Sequence, residues 1–454
     1  MRLLQKLIFG TGLALAIGSA WAGVSQQQAD QLGKSLTPWG ADPAGNADKT
    51  IPAYTGGLPT TTAPDGWTKG SGRYDLGPYD GEKPLFSITA SNYEKYADRL
   101  SAGSIAMLKK SPQFRMDVYQ THRSVAHSSN WLSHCKTNAV KANISSTANG
   151  FSDAYSCVPF PIPTTGAEVM WNMATTDLWG VDTAIRQSTW YIDASGHLTD
   201  VGQLDVEFAQ PYQDPKKDAL DGGAYRLQVG TWIGPPSQVG QKILQRVPVD
   251  YDKSGTVTWV YFPGQRRTRV APDYTYDTPI APDGGVINYD ELFGFAGALD
   301  RYDFKLAGKK EIYVMYNANR MIFAPTDKML AKNVINPDVS RWELHRVWVV
   351  EATLKAGKRH VQPRRTLYID EDTWACVATD AYDQGGTLFK VGFYPVVPLW
   401  DQQYFGQGMI FYDLSKGSTY IEAHNRSNDF IKGSEQLTDI NKFTPAALTS
   451  SGLR

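Results

Sequence analysis

Apolar runs that alternate with tight turns occupy the chain from residue 187 to about residue 425. The runs are rich in valine, isoleucine, tyrosine and tryptophan, and turns such as 193–196, 355–358 and 383–386 separate them. Runs of this composition, bounded by Gly, Asp and Ser, are typical of β-strands joined by hairpins. The pattern therefore predicts a mainly β protein built on an antiparallel sheet.

The clearest strand is the run 341–355, in which apolar and polar residues alternate. Its even positions include Trp342, Leu344 and Trp348, whereas its odd positions are mostly charged or polar. Alternation with period two predicts one face on the core and the other toward water. The run is also much longer than the usual strand of about five or six residues. Its length favours a strongly curved sheet, and a sandwich of two sheets is the alternative.

Segments with helical spacing are few. Residues 37–86 are instead dense in Pro, Gly, Thr and Asp, which indicates a loop or an extended arm. We therefore predict an N-terminal helix and a Pro/Gly-rich arm over residues 23–90, followed by a single curved-sheet domain over residues 91–454. Long loops at 271–300 and 323–340 interrupt its strands. The predicted helices are 25–36, 91–110, 166–178 and 444–448.

The first residues carry the features of a secretory signal peptide. Arg2 and Lys6 precede the apolar stretch 7–17, which is shorter than the roughly 20 residues needed to span a bilayer. The segment ends in Ala20-Trp21-Ala22, a cleavage site of the small-x-small type. We therefore expect residues 1–22 to be removed after Ala22 and the mature protein to reside in the periplasm.

The cysteines agree with an oxidising compartment. Cys135 and Cys157 flank a polar stretch, and a disulfide that closed this loop would stabilise the fold by roughly 3 kcal/mol. We expect these two residues to be paired. Cys376 stands in an apolar run, and we expect it in the core, because single buried cysteines behave mostly as small hydrophobic side chains.

Composition and motifs argue against several classes of function. The formal net charge of the 454 residues is −1, whereas a nucleic-acid-binding domain is usually clearly basic. The sequence contains no G-x-S-x-G elbow, no H-E-x-x-H motif and no P-loop. His122, His127 and His134 share no regular strand or helix face. We therefore expect no nucleic acid, cofactor or metal and no catalysis, with a hydrolase assembled from residues distant in sequence as the alternative.

The segment 261–272 combines aromatic residues, a Pro-Gly break and three arginines. Tyr261 precedes the break, and Arg266, Arg267 and Arg269 follow it. Aromatic side chains lining an apolar cavity, with arginine at its rim, would suit a hydrophobic ligand that has an anionic head group. The alternative is a bulged strand whose arginines pair with acidic turns nearby.

Several motifs are distinctive, namely 36–47 with 51–57, 159–163, 261–272 with 276–279, and 368–383. They resemble a family of large exported bacterial proteins without an established reaction, grouped as outer-membrane lipoprotein-sorting-like. The family's fold is similar to that of the periplasmic lipoprotein carriers LolA and LolB. The resemblance therefore implies a strongly curved antiparallel sheet that forms an incomplete barrel, with a few helices packed on its concave face.

The same resemblance implies a carrier or chaperone that holds a lipid or another hydrophobic ligand in the half-barrel cavity. An RND-type transporter or an outer-membrane protein would be its partner. The alternative is a docking or assembly subunit of an envelope transporter or outer-membrane system, with the arm 37–86 as its contact surface. In the carrier, Arg266, Arg267 and Arg269 would meet the head group. The aromatic residues expected to contact the ligand are Trp259, Tyr261, Trp342, Trp348 and Trp374.

Overall fold

A computed structural model describes residues 23–221, 223–281 and 284–452. The predicted signal peptide and its cleavage site therefore lie outside the described residues. Strands and tight turns dominate the described part, as the sequence predicts. The strands are β1 (Phe86–Ile88), β2 (Met116–Val118), β3 (Asn143–Ile144), β4 (Phe151–Ser152), β5 (Asp182–Ile192), β6 (Leu198–Ala209), β7 (Ala224–Gly234), β8 (Lys242–Pro248), β9 (Val257–Phe262), β10 (Arg267–Val270), β11 (Tyr302–Met315), β12 (Leu330–Ala331), β13 (Val334–Ile335), β14 (Trp342–Leu354), β15 (Arg364–Asp370), β16 (Cys376–Tyr382), β17 (Leu388–Phe393), β18 (Val396–Leu399), β19 (Tyr404–Gln407), β20 (Met409–Asp413), β21 (Ser418–Ala423) and β22 (Phe430–Ser434).

Sixteen strands form one large sheet, and three short hairpins, β3–β4, β12–β13 and β18–β19, stand outside it. Its order is β1-β2-β14-β15-β16-β17-β20-β21-β5-β6-β7-β8-β9-β10, with β11 paired to β14 and β22 paired to β5. Among the described residues, neighbouring strands of this sheet pair antiparallel, except for β2 and β14, which are parallel. The predicted fold class, a mainly β protein with a strongly curved sheet and a few helices, is confirmed.

The helices are short, and four of them begin at side-chain caps. Thr165 and Glu168 form a capping box at the start of α5. The predicted helix 91–110 is divided, because the Ser101 hydroxyl accepts from the backbone N–H of Ser104 and starts a new helix after the 3₁₀ turn Tyr93–Arg99. The predicted helix 25–36 is correspondingly reduced to four residues. The helices are α1 (Gln26–Ala29), α2 (Ala102–Lys110), α3 (Ser129–Leu132), α4 (Cys135–Lys141), α5 (Gly166–Thr175), α6 (Asn319–Ile322), α7 (Thr326–Met329) and α8 (Pro445–Gly452).

The two faces of the sheet carry different coverings. Helix α5 and residues 271–281 and 284–301 lie on one face, which we call the inner face. Helix α2 contacts β16 and β17 on the opposite, outer face, and α8 contacts β8, β9 and β10 there. Because side chains alternate between the faces of a strand, each residue of β5–β9 lies either on the inner face or on the outer face.

The segment predicted as an arm is built into the cores. Trp39 and Tyr74 are buried, and the indole N–H of Trp39 donates to the carbonyl of Glu371 at 3.2 Å. Trp374 donates in turn to the carbonyl of Trp39 at 3.0 Å. Together with β1, which pairs with β2, these contacts attach the arm to the sheet.

The cysteines are placed as the sequence predicts. Cys135 and Cys157 form a disulfide, 22 residues apart in sequence. It joins the start of α4 to the stretch that follows β4. Cys376 is reduced and buried. Burial raises the pKa of its thiol, so the reactive thiolate is disfavoured.

The long strand β14 differs from its prediction. The alternation was expected to place its odd positions toward water, yet Glu343 and His345 are buried. His345 lies 3.4 Å from a carboxylate oxygen of Glu343 and 3.4 Å from one of Asp370. Tyr316 also stacks on its ring at 3.9 Å between centroids. A buried charge network therefore replaces solvent on that face, which a period-two pattern does not distinguish from an exposed face.

This network predicts a loss of stability at alkaline pH. Burial alone would lower the pKa of His345, but hydrogen bonds and charge from Asp370 and Glu343 outweigh it and raise the pKa to about 9. Because this value exceeds the unfolded one, the contribution is complete below about pH 6.5 and is lost as the pH rises through 9. We expect the free energy of unfolding, measured by urea denaturation, to fall over this range. A His345→Gln variant should show a flatter dependence, and an equal slope in both proteins would contradict the assignment.

Candidate functional site

Residues 271–281 and 284–301 cross the inner face between β10 and β11, and we call them the roof. The roof lies close to the sheet at Gly294, which has φ +92°. A Cβ at this position would lie 2.3 Å from Cβ of Cys376. Only glycine adopts that conformation readily and leaves room for the contact. The roof can therefore lie directly on β16.

Two buried ion pairs fix the roof to the sheet. Asp290 of the roof contacts Arg365 of β15, and all but a few per cent of both side chains is buried. Glu291 accepts from the ammonium of Lys390 of β17 at 2.8 Å, and Lys390 also donates to the roof carbonyl of Val286 at 2.7 Å. Burial would raise the pKa of Asp290, but the charges of Arg365 and His360 lower it to about 2. Asp290 is therefore ionised at neutral pH.

An apolar cavity of about 100 Å³ lies between the roof and the inner face of β5–β8. Gly230 contributes no side chain to the wall, and a Cβ there would lie 3.1 Å from Cγ2 of Ile243. The polar side chains of Gln228 and Gln245 cross one side of the cavity and bond to each other at 2.5 Å. Gln187, Thr189 and Glu422 are further polar residues of its lining. The apolar side chains that line it are Trp179, Leu204, Val206, Phe208, Trp232, Ile243, Ile280, Leu292, Phe293 and Met409.

A second cavity, of about 350 Å³, adjoins the first and shares Gln228, Gln245, Tyr289 and Leu292 with it. Tyrosines dominate its lining, so we call it the tyrosine-lined cavity. Exposed residues at 255 and 272 border it, which places it at the surface. Its tyrosines are Tyr251, Tyr274, Tyr276 and Tyr289.

Several polar atoms of these cavities have no hydrogen-bond partner among the described residues. They include the indole N–H groups of Trp179 and Trp232 and the amide oxygen of Gln228. Nε of Arg226, which borders the tyrosine-lined cavity, is a further one. Buried donors and acceptors are nearly always paired in folded proteins. Unpaired groups in the lining of an apolar cavity are available to a ligand, so we take this cavity as the candidate binding site.

The aromatic residues predicted to contact a ligand lie in separate places. Trp259 and Tyr261 belong to the outer face of β9 and pack with Phe443 and Leu448 near α8. The rings of Trp348 and Trp374 stack with 5.8 Å between their centroids. Trp342 packs elsewhere, against Phe114 and Phe393. These five residues do not line the two cavities under the roof.

The predicted arginines lie at the free edge of the sheet, and all three are exposed. Arg266 occupies the turn before β10 with φ +49°. Arg269 pairs with Val260 across the β9–β10 ladder, and Val260 pairs with the cavity residue Ile243. Paired residues of neighbouring strands point to the same face, so Arg269, and likewise Arg267, belongs to the inner face. None of the three forms an ion pair within the described part of the chain, unlike the alternative in which acidic turns neutralise them.

The cavity residues themselves were not singled out from the sequence. The run 224–229 alternates, with Arg226 and Gln228 on one face and Leu227 and Val229 on the other. That alternation is the usual signal of a solvated face. The roof covers this face and leaves the cavities beneath it. Its position over β7 depends on tertiary structure, so the sequence pattern of the strand does not indicate it.

The described part of the chain contains neither a cluster of metal-binding side chains nor a helix suited to span a membrane. No group of three or more His, Cys, Asp or Glu side chains is arranged to hold a metal ion there. None of the helices in residues 23–221, 223–281 and 284–452 combines the length and hydropathy of a membrane span.

Comparison with known proteins assigns the chain to a family. Residues 87–449 match the family described as proteins of unknown function, DUF1329, and the chain belongs to it. An uncharacterized protein of Pseudomonas aeruginosa is 36% identical over 465 residues, which cover 99% of each chain. Family membership is thereby shown without an activity.

Solved structures overlap with 62% of the chain at low identity. They include a domain provisionally named as an outer membrane lipoprotein-sorting protein from Vibrio parahaemolyticus (TM-score 0.42, 13% identity, 97% of that chain). A DUF1329 family protein from Desulfovibrio piger gives a TM-score of 0.39 at 16% identity over 97% of its chain. A LolA superfamily protein from Nitrosomonas europaea gives 0.34 at 11% identity over 98% of its chain.

The roof anchor gives a stability prediction. An Asp290→Asn variant leaves Arg365 buried without its charged partner, a change that typically costs about 3–5 kcal/mol. We expect a loss of this size in urea denaturation, together with faster amide hydrogen exchange in residues 286–301. Glu351→Gln is the matched control, because Glu351 pairs with Lys305 at 3.7 Å on the exposed surface, where an ion pair contributes less than about 1 kcal/mol. Similar effects of the two substitutions would contradict the anchoring role of Asp290.

Proposed function

We propose that this member of the DUF1329 family is a non-enzymatic carrier that binds a lipid or another hydrophobic ligand beneath the roof. The observation that supports the proposal is the apolar cavity. It adjoins the tyrosine-lined cavity, and some of its lining residues have buried polar atoms without a hydrogen-bond partner. Small-molecule sites are mostly apolar and contain a few polar groups that orient the ligand. The two cavities have this composition.

The size of the site supports a small or medium-sized ligand. The tyrosine-lined cavity alone, at about 350 Å³, falls within the roughly 300–1,000 Å³ of known ligand pockets. The apolar cavity would then receive the most hydrophobic part of the ligand, because more than half of its lining residues are apolar.

The roof would control how the ligand enters and leaves. Leu292 and Phe293 follow directly after the anchor at Asp290 and Glu291, and both line the apolar cavity. A ligand that occupies the cavity would therefore contact the segment whose position the buried ion pairs determine. Binding and release would require no chemical step, which agrees with the lack of an enzyme motif in the sequence.

We place the carrier in the periplasm, after removal of residues 1–22. The disulfide between Cys135 and Cys157 supports an oxidising compartment. Exchange of the ligand with an RND-type transporter or an outer-membrane protein remains a prediction. The docking-subunit alternative has less support, because Trp39 and Tyr74 of the arm 37–86 are buried in the cores and not displayed on a surface.

Filling the apolar cavity should weaken the binding of a hydrophobic ligand. We expect Val206→Trp, which projects a larger side chain into the cavity, to weaken binding of N-phenyl-1-naphthylamine about tenfold or more, equivalent to at least 1.4 kcal/mol. Fluorescence titration of the probe measures the change. Ile243→Trp fills the same cavity from a different strand and covers the case in which the first variant does not fold.

The matched control is Val257→Trp, since Val257 is exposed at 36% and lies outside the cavity. Its affinity should equal that of the unmodified protein. Unchanged probe binding in a folded Val206→Trp or Ile243→Trp variant, verified by circular dichroism and thermal unfolding, would count against the cavity as the binding site.

A further inference from the structure

We propose that the ligand is an amphiphile with one anionic head group, a carboxylate or a phosphate monoester, and that Arg226 binds this head group. The inference rests on the proposed function, because it names the class of ligand for the same cavities. It differs from the sequence-based expectation, which assigned a head group to Arg266, Arg267 and Arg269.

Arg226 borders the tyrosine-lined cavity and a gap that adjoins the apolar cavity. It lies on the inner face of β7, opposite Val247 of β8, and it borders the tyrosine-lined cavity. It also borders a small gap that is lined by Trp179, Phe208 and Phe293, and these three residues line the apolar cavity as well. A head group at Arg226 can therefore be continuous with an apolar tail beneath the roof.

Apolar and aromatic groups surround the guanidinium. Its carbon lies 4.8 Å from the ring centroid of Phe293 and 5.7 Å from that of Tyr225. These contacts hold the charged plane beside the cavity. They contribute cation–π attraction, yet they provide no hydrogen-bond acceptor in the geometry that the N–H groups prefer.

The side chain of Arg226 has no acidic partner. It forms no ion pair and no hydrogen bond within the described residues, and its Nε is buried without an acceptor. In contrast, the buried arginines Arg123, Arg341 and Arg365 each contact a carboxylate. A partly buried arginine that lacks a counter-charge is costly unless a ligand supplies one.

Two acidic residues line the cavities, Glu422 the apolar one and Asp300 the tyrosine-lined one. The carboxylate of Asp300 is engaged elsewhere, since it accepts from the hydroxyl of Tyr276 at 3.0 Å and from the ammonium of Lys358 at 3.1 Å. The inner-face positions of Arg267 and Arg269 add positive charge at the neighbouring edge of the sheet. The planar guanidinium of Arg226 suits a carboxylate or phosphate, since both accept two parallel hydrogen bonds from it.

Competition for bound N-phenyl-1-naphthylamine tests the inference. The competitors are dodecanoate, dodecyl phosphate and neutral dodecanol, all below their aggregation concentrations. We expect the full-length mature protein to prefer the two anions over dodecanol by about tenfold to a hundredfold, as charge-assisted hydrogen bonds typically provide. Arg226→Met should abolish this preference without lowering the affinity for dodecanol. Arg226→Lys should retain part of the preference.

Arg246→Met is the matched control. Arg246 is exposed on the outer face of the adjacent strand β8, so its removal should leave the preference for anions unchanged. A preference that survives in a folded Arg226→Met variant would overturn the inference, and so would equal affinity of the unmodified protein for dodecanol and dodecanoate.

Tail-less anions distinguish an amphiphile site from a simple anion site. Acetate and inorganic phosphate should displace the probe much more weakly than dodecanoate and dodecyl phosphate, and equal displacement would overturn the inference. If dodecanol and both long-chain anions all fail to compete and the probe itself does not bind, the proposed function is contradicted. Binding of dodecanol without preference for anions contradicts only the role of Arg226.

Discussion

Two buried ion pairs, Asp290 with Arg365 and Glu291 with Lys390, determine where the roof lies, and the cavities exist only because the roof lies there. Removing these charges from water is unfavourable, and each carboxylate needs its cation in contact to offset that cost. Glu291 is further satisfied by the amide of Gln362 at 2.6 Å. The network is therefore a specific attachment, since neither carboxylate can move away from its cation without leaving an unpaired charge in the interior.

The sheet achieves this arrangement by dividing its faces. On the outer face of β7–β9, Leu227, Leu244 and Tyr261 pack with residues of the C-terminal segment and form a closed core. On the inner face the same strands carry Gln228 and Gln245, which pack less completely and leave space under the roof. The strands thus form one wall of the cavities. The roof forms the opposite wall and is held in place by Asp290 and Glu291. This division explains how one sheet forms a closed core on its outer face and the proposed binding site on its inner face.

Much of the architecture follows from the pattern of residues, and much of the site does not. Turn residues and apolar alternation predict the strands after residue 187 and the strand β14, because hairpins and two-residue periodicity are local properties. The burial of His345 and the facing of Trp259 toward α8 depend on segments far away in sequence, so residue type alone could not assign them. Arg226 is the clearest example, because within its strand it has the pattern of a solvated position. The pairing of Cys135 with Cys157 was predictable, since it needed only compartment and spacing.

The central claim is that the space between the roof and the inner face holds a hydrophobic ligand in the cell. Native mass spectrometry of the mature protein isolated from the periplasm, followed by organic extraction and lipid analysis, tests this claim most directly. The account predicts a bound species at one molecule per chain, released by organic solvent and identified as an amphiphile. A mass equal to that of the protein alone, in a preparation that also takes up no lipid when incubated with a periplasmic extract, would contradict it.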